Sequence, residues 1–207
     1  MFSIQNILKA LSVLAVGYLL GSIPMAIPMS RLLYRRDVRE DGSHNAGTTN
    51  MARVYGMGAG ALTLVGDVLK TVVALLFGRL LLGEPGHLLA GIAVLFGHCW
   101  PLFYRFKGGK GVAVAAGLAV MTDWKVALIA IALFALIAVT TRYVSLGSLL
   151  ATLTGAVLSF AFRGISPYRA ITMAVMAVTV WFMHRENIHR LLTGTERKFT
   201  PGGKKKE

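Results

Sequence analysis

The sequence predicts an all-α polytopic membrane protein of seven transmembrane helices, with the N-terminus outside and the C-terminus cytoplasmic. Three observations carry this. Of the 207 residues, 55% are hydrophobic and only 15% charged, against about 25% charged in a soluble domain. Apolar runs of spanning length recur along the chain, and its mean hydropathy is +0.63. The basic residues crowd onto alternate loops. The length suits one membrane-embedded domain, 1–207, with about 199–207 a flexible basic tail.

A span needs about 20 mostly apolar residues. The first is Ala10–Ser30, uncharged and interrupted by Pro24 and Pro28. Only Lys9 precedes it and it outruns a signal-peptide core, so it reads as a span rather than a cleaved leader. Its Gly17 and Gly21 form a small-xxx-small pair of the kind that lets helices approach closely in lipid. The second span, Met57–Leu82, holds Asp67 and Lys70 three residues apart. Isolated charges are costly there, so the two are most simply a buried pair supporting the fold; a proton relay is the lesser alternative. The third is His87–Tyr104, the fourth Gly111–Met121 (short for a crossing), the fifth Val126–Thr140, the sixth Val144–Phe162 and the seventh Ala170–Met183.

Seven crossings put the termini on opposite sides. One side then holds 16 basic residues: Arg31, Arg35, Arg36, Arg39, Arg53, Arg105, Lys107, Lys110, Arg142 and seven between Arg185 and Lys206. The other holds 5: Lys9, Arg79, Lys125, Arg163 and Arg169. Positive charge stays cytoplasmic, which places the C-terminus there. Treating the short fourth run as a re-entrant hairpin would scramble the separation.

The net charge of +13 suits nucleic acid, anionic lipid or an anionic substrate. The long apolar runs exclude a soluble nucleic-acid binder. A single cysteine, Cys99, excludes an internal disulfide. His87, His98 and His189 lack metal-ligand spacing with acidic partners, so neither metal nor cofactor is expected.

Four polar clusters fall on the side assigned as cytoplasmic. Gly42-Ser43-His44-Asn45-Ala46-Gly47-Thr48-Thr49-Asn50 is a small, hydroxyl- and amide-rich loop that can turn backbone N–H groups toward an anion, with Arg53 beyond it as a planar fork for phosphate. An ordinary polar loop with a helix cap fits that segment equally well. Gly97-His98-Cys99-Trp100-Pro101 runs on to Phe106-Lys107-Gly108-Gly109-Lys110-Gly111, a plausible phosphate cradle at a helix start. It is not a Walker A loop, since Gly111 stands where Ser or Thr is required. An interfacial loop holding lipid head groups is the blander reading, though lysines alone do not need three glycines. Thr140-Thr141-Arg142-Tyr143 leads to Ser145 and Ser148, serines that in a span usually bond to a helix backbone. His184-Arg185-Glu186-Asn187 shows His184 and Asn187 on one helical face, where an interfacial anchor is an equal reading. Together the clusters describe a basic anion pocket at the membrane surface.

These residues resemble a known family. Gly21-Ser22-Ile23-Pro24, the Ser43–Asn50 loop with Arg53, the stretch from Gly97 to Gly111, Thr141-Arg142-Tyr143-Val144-Ser145, His184-Arg185-Glu186-Asn187 and Gly194-Thr195-Glu196 are similar to the PlsY family, from Gly17 to Lys198. These are the acyl-phosphate:glycerol-3-phosphate acyltransferases of the bacterial inner membrane. The resemblance implies a multi-pass enzyme with a cytoplasmic active site. It would move a fatty acyl group from acyl phosphate to glycerol 3-phosphate, giving lysophosphatidic acid and phosphate in the first acylation of phospholipid synthesis. The implied partners are these two substrates and membrane lipids, without nucleic acid, for a monomeric enzyme. By the family pattern Ser43, His184 and Asn187 are catalytic, and Asn45, Gly47, Thr49, Asn50, Arg53, Lys107, Lys110, Ser145 and Ser148 bind substrate. His44 replaces a glycine common in the family, Thr48 an alanine and Cys99 an asparagine.

An acyl phosphate is already activated, so the demands on the protein are orientation and offset of charge between two phosphates. Arg53, Lys110 and Ser148 are expected to hold glycerol 3-phosphate, and the Ser43–Asn50 loop the acyl phosphate. His184 serves either as general base or only to orient the hydroxyl while a substrate phosphate takes the proton. An organophosphate transporter would also explain basic residues and broken helices, but it needs polar sites at mid-bilayer and on both faces. An acyl-CoA enzyme with a His-x4-Asp pair is excluded, because no histidine has Asp five residues later.

Overall fold

The structure, a computed structural model, describes residues 3–200 and 202. Most of the basic tail expected at 199–207 lies outside the described residues. Within them the regular elements are all helical: α1 (Ile4–Gly21), α2 (Ala26–Tyr34), α3 (Thr48–Tyr55), α4 (Met57–Cys99), α5 (Val112–Thr122), α6 (Trp124–Thr141), α7 (Val144–Ala161), α8 (Pro167–Met183) and α9 (Arg185–Leu192). Short 3₁₀ turns occupy Val38–Glu40 and Leu102–Tyr104. Four stretches are long and apolar enough to cross a membrane: Ile4–Tyr34, Met57–Tyr104, Trp124–Thr141 and Val144–Ala161. Val112–Thr122 and Pro167–Met183 are shorter apolar helices.

The 43 residues of α4 form two arms rather than one rod. A straight helix of that length would reach about 65 Å, twice the hydrocarbon core of a bilayer. Gly83 interrupts it with φ 63° and ψ −138°, and Pro85 follows. Only glycine enters that conformation without a Cβ penalty. The arms meet at Gly78 and Gly86, where a Cβ on either residue would strike the other's carbonyl. This turn separates the second and third apolar runs of the sequence. Within it, Glu84 accepts from Arg169 Nε at 2.9 Å and Nη2 at 2.8 Å, while Arg169 Nη1 donates to the Thr122 carbonyl at 3.1 Å. One guanidinium thus ties the α4 turn, the end of α5 and the start of α8.

Glycine governs the contact of α1 with α4 as well. A Cβ on Gly17 would lie 2.9 Å from the Ala93 Cβ, one on Gly21 would strike the Val94 carbonyl, and one on Gly97 the Tyr18 carbonyl. The backbones approach closely enough to replace side-chain packing, as expected of the small-residue pair. Leu75, Val94, Leu95, Val114, Leu118, Met173, Met176 and Val180 fill the shared core. Outward, Leu128, Val139, Phe160 and Val178 remain more than half exposed. That is the inverse of a water-facing surface and suits contact with hydrocarbon.

Pro24 divides α1 from α2, and the Asp67–Lys70 pair secures the break. Lys70 Nζ lies 2.7 Å from Asp67 Oδ1 and donates to the carbonyls of Gly21 (3.1 Å) and Ile23 (2.8 Å). Asp67 Oδ1 accepts from the Met25 amide at 3.2 Å. The cation therefore meets the carbonyl end of α1 and the carboxylate the amide end of α2, each matched to the sign of the helix dipole.

Candidate active site

Each polar segment of the sequence leads into the start of a helix. Gly47 precedes α3, Gly111 precedes α5, Tyr143 precedes α7 and His184 precedes α9. The first amides of a helix lack intrahelical acceptors and carry its positive end. All four starts line one cavity of about 930 Å³, through Gly47, Thr48 and Thr49, then Gly111, Val112 and Ala113, then Val144 and Ser145, then His184 and Asn187. Much of its remaining wall is apolar and includes Val120, Ile131, Phe134, Met173 and Met176. The cavity joins a rim suited to anions with an interior suited to an alkyl chain.

Of the residues expected at a site, Ser43, Asn45, Gly47, Thr49, Arg53, Lys110, Ser145, Ser148, His184 and Asn187 line this cavity. Asn50 and Lys107 do not. Asn50 is fully buried; its Oδ1 accepts from the Ser43 amide at 2.8 Å and its Nδ2 donates to the carbonyls of Val38 (2.9 Å) and Asp41 (3.0 Å). Every polar atom of its side chain is engaged in framing the loop, which corrects the expectation that it binds substrate. Lys107 is exposed, and what it contributes is a backbone carbonyl accepting from Arg39 Nη1 at 3.0 Å.

The glycine-lysine cradle is narrower than expected. The Gly108 and Gly109 amides donate to the carbonyls of Cys99 (3.2 Å) and His98 (3.1 Å), so they are not free for an anion. Both residues are glycine for space: a Cβ on Gly108 would strike the His98 carbonyl, and one on Gly109 the His98 Nε2. What remains for an anion is the α5 start and Lys110.

Lys110 Nζ donates to Asn187 Oδ1 and has no carboxylate partner among the described residues. Burial and the nearby Arg190 push its pKa down. Burial and Arg197 do the same to Arg53, which is half-buried and also without an ion pair among the described residues. Two uncompensated cations at four helix starts attract anions strongly.

His184 Nδ1 lies 2.8 Å from the Val180 carbonyl. A carbonyl only accepts, so Nδ1 carries the proton and Nε2 keeps its lone pair. Burial, then the Lys110 charge, lowers the pKa of His184 to about 4. An unfolded histidine takes up a proton near 6.5, one that the folded site refuses until about 4. This part of the stability is therefore complete above pH 6.5 and lost as pH falls toward 4; His184→Gln should flatten the slope of melting temperature against pH across that window.

Glu196, to which no role was expected, ties three side chains together at the rim. Its Oε1 accepts from Ser145 Oγ at 2.7 Å and Asn187 Nδ2 at 2.6 Å, and its Oε2 from Arg190 Nε at 2.7 Å. Burial works to raise its pKa, but these donors outweigh it and hold the carboxylate ionised. By taking Nδ2 it turns Asn187 Oδ1 toward Lys110. The segment around it crosses the rim, with Arg197 Nη1 donating to the Gly42 carbonyl at 3.4 Å and the Phe199 amide to the Arg142 carbonyl at 2.8 Å. The sequence signal was its place in Gly194-Thr195-Glu196. Asp67 and His98 also line the cavity, although the sequence offered them only a supporting pair and a lone histidine.

His44 adopts φ 57°, in the left-handed region, with Nδ1 3.0 Å from the Arg39 carbonyl. This accounts for a glycine being common at the position. Histidine tolerates the region better than β-branched residues do. His44→Gly should leave thermal stability nearly unchanged, whereas His44→Val should cost about 1–2 kcal/mol; thermal unfolding in detergent measures both. Thr48 Oγ1 is buried with no hydrogen-bond partner among the described residues, and nothing in the structure explains the threonine.

A helical bundle with lipid-facing apolar sides, enclosing a cavity with an anionic-ligand rim and an alkyl-lined interior, defines a membrane enzyme of phosphorylated lipids. The chain belongs to the glycerol-3-phosphate acyltransferase family, which it matches over residues 11–194. It is an integral membrane acyltransferase. It is 43% identical to the glycerol-3-phosphate acyltransferase of Nitrobacter winogradskyi over 182 residues, 88% of this chain and 92% of the relative. It is 44% identical to that of Rubrobacter xylanophilus over 186 residues, covering 89% and 92%. The crystal structure of PlsY, an integral membrane glycerol 3-phosphate acyltransferase, in its glycerol 3-phosphate form matches with a TM-score of 0.86 at 36% identity, covering 92% of this chain and 96% of that one. The lysophosphatidic acid form of PlsY matches at 0.84, with 35% identity.

Proposed function

We propose that this chain transfers a fatty acyl group from acyl phosphate to glycerol 3-phosphate, giving 1-acyl-glycerol 3-phosphate and phosphate. The observation that carries this reading is the meeting of four helix starts and two cations without a carboxylate partner among the described residues, Arg53 and Lys110, at the mouth of a largely apolar cavity. Two phosphates need such a rim, and one acyl chain needs such an interior. The whole chain acts as one membrane-embedded acyltransferase domain and as a monomer in the bacterial inner membrane. Seven crossings, with both arms of α4 and the shorter α5 and α8 among them, leave the N-terminus outside and the site cytoplasmic. The 16-to-5 asymmetry of basic residues supports that orientation.

Arg53 and Lys110 grip the phosphate of glycerol 3-phosphate, and Ser148 joins them when its hydroxyl turns from the Val144 carbonyl, 2.9 Å away. The α3 start, with Ser43, Asn45, Gly47 and Thr49, holds the phosphate of the donor, and the acyl tail lies along Ile131, Phe134 and Met176. The primary hydroxyl oxygen forms a bond to the acyl carbon, and the bond from that carbon to the phosphate oxygen breaks with its electron pair leaving on phosphate. Asn187 Nδ2 gives one of its two hydrogens to Glu196 and steadies the developing oxyanion with the other, while Ser145, whose single hydroxyl hydrogen goes to Glu196, fixes that carboxylate in place. His184 Nε2 accepts the hydrogen bond of the attacking hydroxyl. With a pKa of about 4 it orients that hydroxyl rather than keeping its proton; the leaving phosphate, the stronger base of the two, takes it.

Purified protein incubated with acyl phosphate and glycerol 3-phosphate should release phosphate and lysophosphatidate in equal amounts, with acyl-CoA inert as donor. Product formed only from acyl-CoA overturns the reading. For the proton, His184→Gln should retain activity within about tenfold, short of the loss of about 10²–10⁴ that removal of an obligatory base brings, and His184→Ala, which can hold no hydroxyl, should fall below it. A loss in His184→Gln of about 100-fold or more would restore the general-base role.

A further inference from the structure

Asp67 is fully buried, yet it lines the cavity, and its two carboxylate oxygens have different fates. Oδ1 accepts from Lys70 and the Met25 amide and lies 3.4 Å from His98 Nδ1. Oδ2 is buried with no hydrogen-bond partner among the described residues. A buried ionised oxygen left unmatched is costly, so it calls for a donor. The location narrows the choice. His98 joins Asp67 to the two loops above: its carbonyl holds the Gly109 amide, its Nε2 abuts Gly109, and the Ala46 carbonyl lies 2.8 Å from where a Gly109 Cβ would stand. His98 thus links Asp67 to Gly109 and Ala46, the chain neighbours of Lys110 and Gly47, which are assigned above to the two phosphates.

We propose that Asp67 Oδ2 forms a hydroxyl subsite that accepts a hydrogen bond from the secondary hydroxyl of glycerol 3-phosphate. The proposal rests on the acylation of glycerol 3-phosphate put forward above. A carboxylate offers no donor to phosphate and repels it at close range. Here the Lys70 ammonium, 2.7 Å away, neutralises the pair, so a phosphorylated ligand tolerates it while a hydroxyl is drawn to its free oxygen. Acyl phosphate has no alcohol to offer. Of the two hydroxyls on the acceptor, the primary one attacks the acyl carbon beside His184, which leaves the secondary one for Asp67.

The test compares acceptors on the purified wild-type protein with acyl phosphate as donor. Propane-1,3-diol monophosphate lacks the secondary hydroxyl, and dihydroxyacetone phosphate replaces it with a carbonyl that can only accept; both keep the primary hydroxyl and the phosphate. Each should fall at least about tenfold below glycerol 3-phosphate in kcat/KM, because a site built to bond a hydroxyl rejects analogues that cannot supply it. In Asp67→Asn the amide NH2 becomes a donor toward the cavity, so the ketone should recover by about tenfold relative to glycerol 3-phosphate while the deoxy compound does not. Wild-type rates within about threefold for all three acceptors would overturn the subsite, assign Oδ2 to an ordered water, and leave the acylation reading standing. An unchanged ketone penalty in a folded Asp67→Asn protein would overturn it as well. If Asp67→Asn does not fold, the wild-type comparison still decides. No product from any acceptor, glycerol 3-phosphate included, removes the acylation reading and the subsite with it.

Discussion

Replacing Arg53 by alanine is expected to raise the KM for glycerol 3-phosphate about 100-fold and to leave the melting temperature of the free protein unchanged. The two halves of this result have one cause. Arg53 is half-buried at the cavity and has no carboxylate partner among the described residues, so its removal strands no other charge. In the complex it supplies a bidentate, charge-assisted contact to phosphate. Truncating such a partner costs about 2–5 kcal/mol, and each 1.4 kcal/mol is about tenfold. The effect belongs in KM because the phosphate of the acceptor does not change during acyl transfer, so ground and transition states lose it alike. Arg53→Lys should fall between, since lysine restores charge without the planar fork. Steady-state kinetics with glycerol 3-phosphate varied at saturating donor measures it. An unchanged KM would remove Arg53 from the site.

Lys70→Ala should produce the largest loss of stability, about 3–5 kcal/mol, the range for breaking a buried ion pair by removing one partner. The reason exceeds the pair itself. Lys70 Nζ serves Asp67 Oδ1 and the carbonyls of Gly21 and Ile23, where α1 stops. Without it, a buried carboxylate and two buried carbonyls lose their donor together, at the break between α1 and α2. Lys70→Met combined with Asp67→Leu should recover part of the loss, because the stranded charge is gone while the carbonyls stay unmatched. Thermal unfolding in detergent compares the three proteins. A loss in Lys70→Ala no greater than about 0.5 kcal/mol, as for an exposed lysine, would refute this account.

How far the sequence could be read depended on the range of the interactions. Apolar runs and their interruptions are local, so the gap between the Met57–Leu82 and His87–Tyr104 runs marked the α4 turn, and Gly17 and Gly21 marked a close helix contact. The polar clusters were legible too, because glycines, hydroxyls and cations at helix starts have a local signature. Which amide in a polar loop faces inward is not local. Asn45 lines the cavity while Asn50, five residues on, is turned onto the backbone of Val38 and Asp41. Asp67 and Lys70 could be paired by their i,i+3 spacing, but their contacts to Met25, Ile23 and His98 join residues 42, 47 and 28 positions apart. Glu196 stood in the Gly194-Thr195-Glu196 motif without a role, because an acidic residue looks misplaced in an anion site, and only the fold reveals that it braces Asn187.

That brace has a consequence for biogenesis. Arg53 and Lys110 are synthesised and inserted early, whereas the carboxylate that orients Asn187 toward Lys110 lies beyond α9. At roughly 5–20 residues per second, on the order of ten seconds separates Lys110 from Glu196 at the ribosome. During that interval the growing chain has its cations and much of its apolar interior but not the finished rim. The carboxylate that sets the direction of Asn187 is thus among the last parts of the cavity to be made.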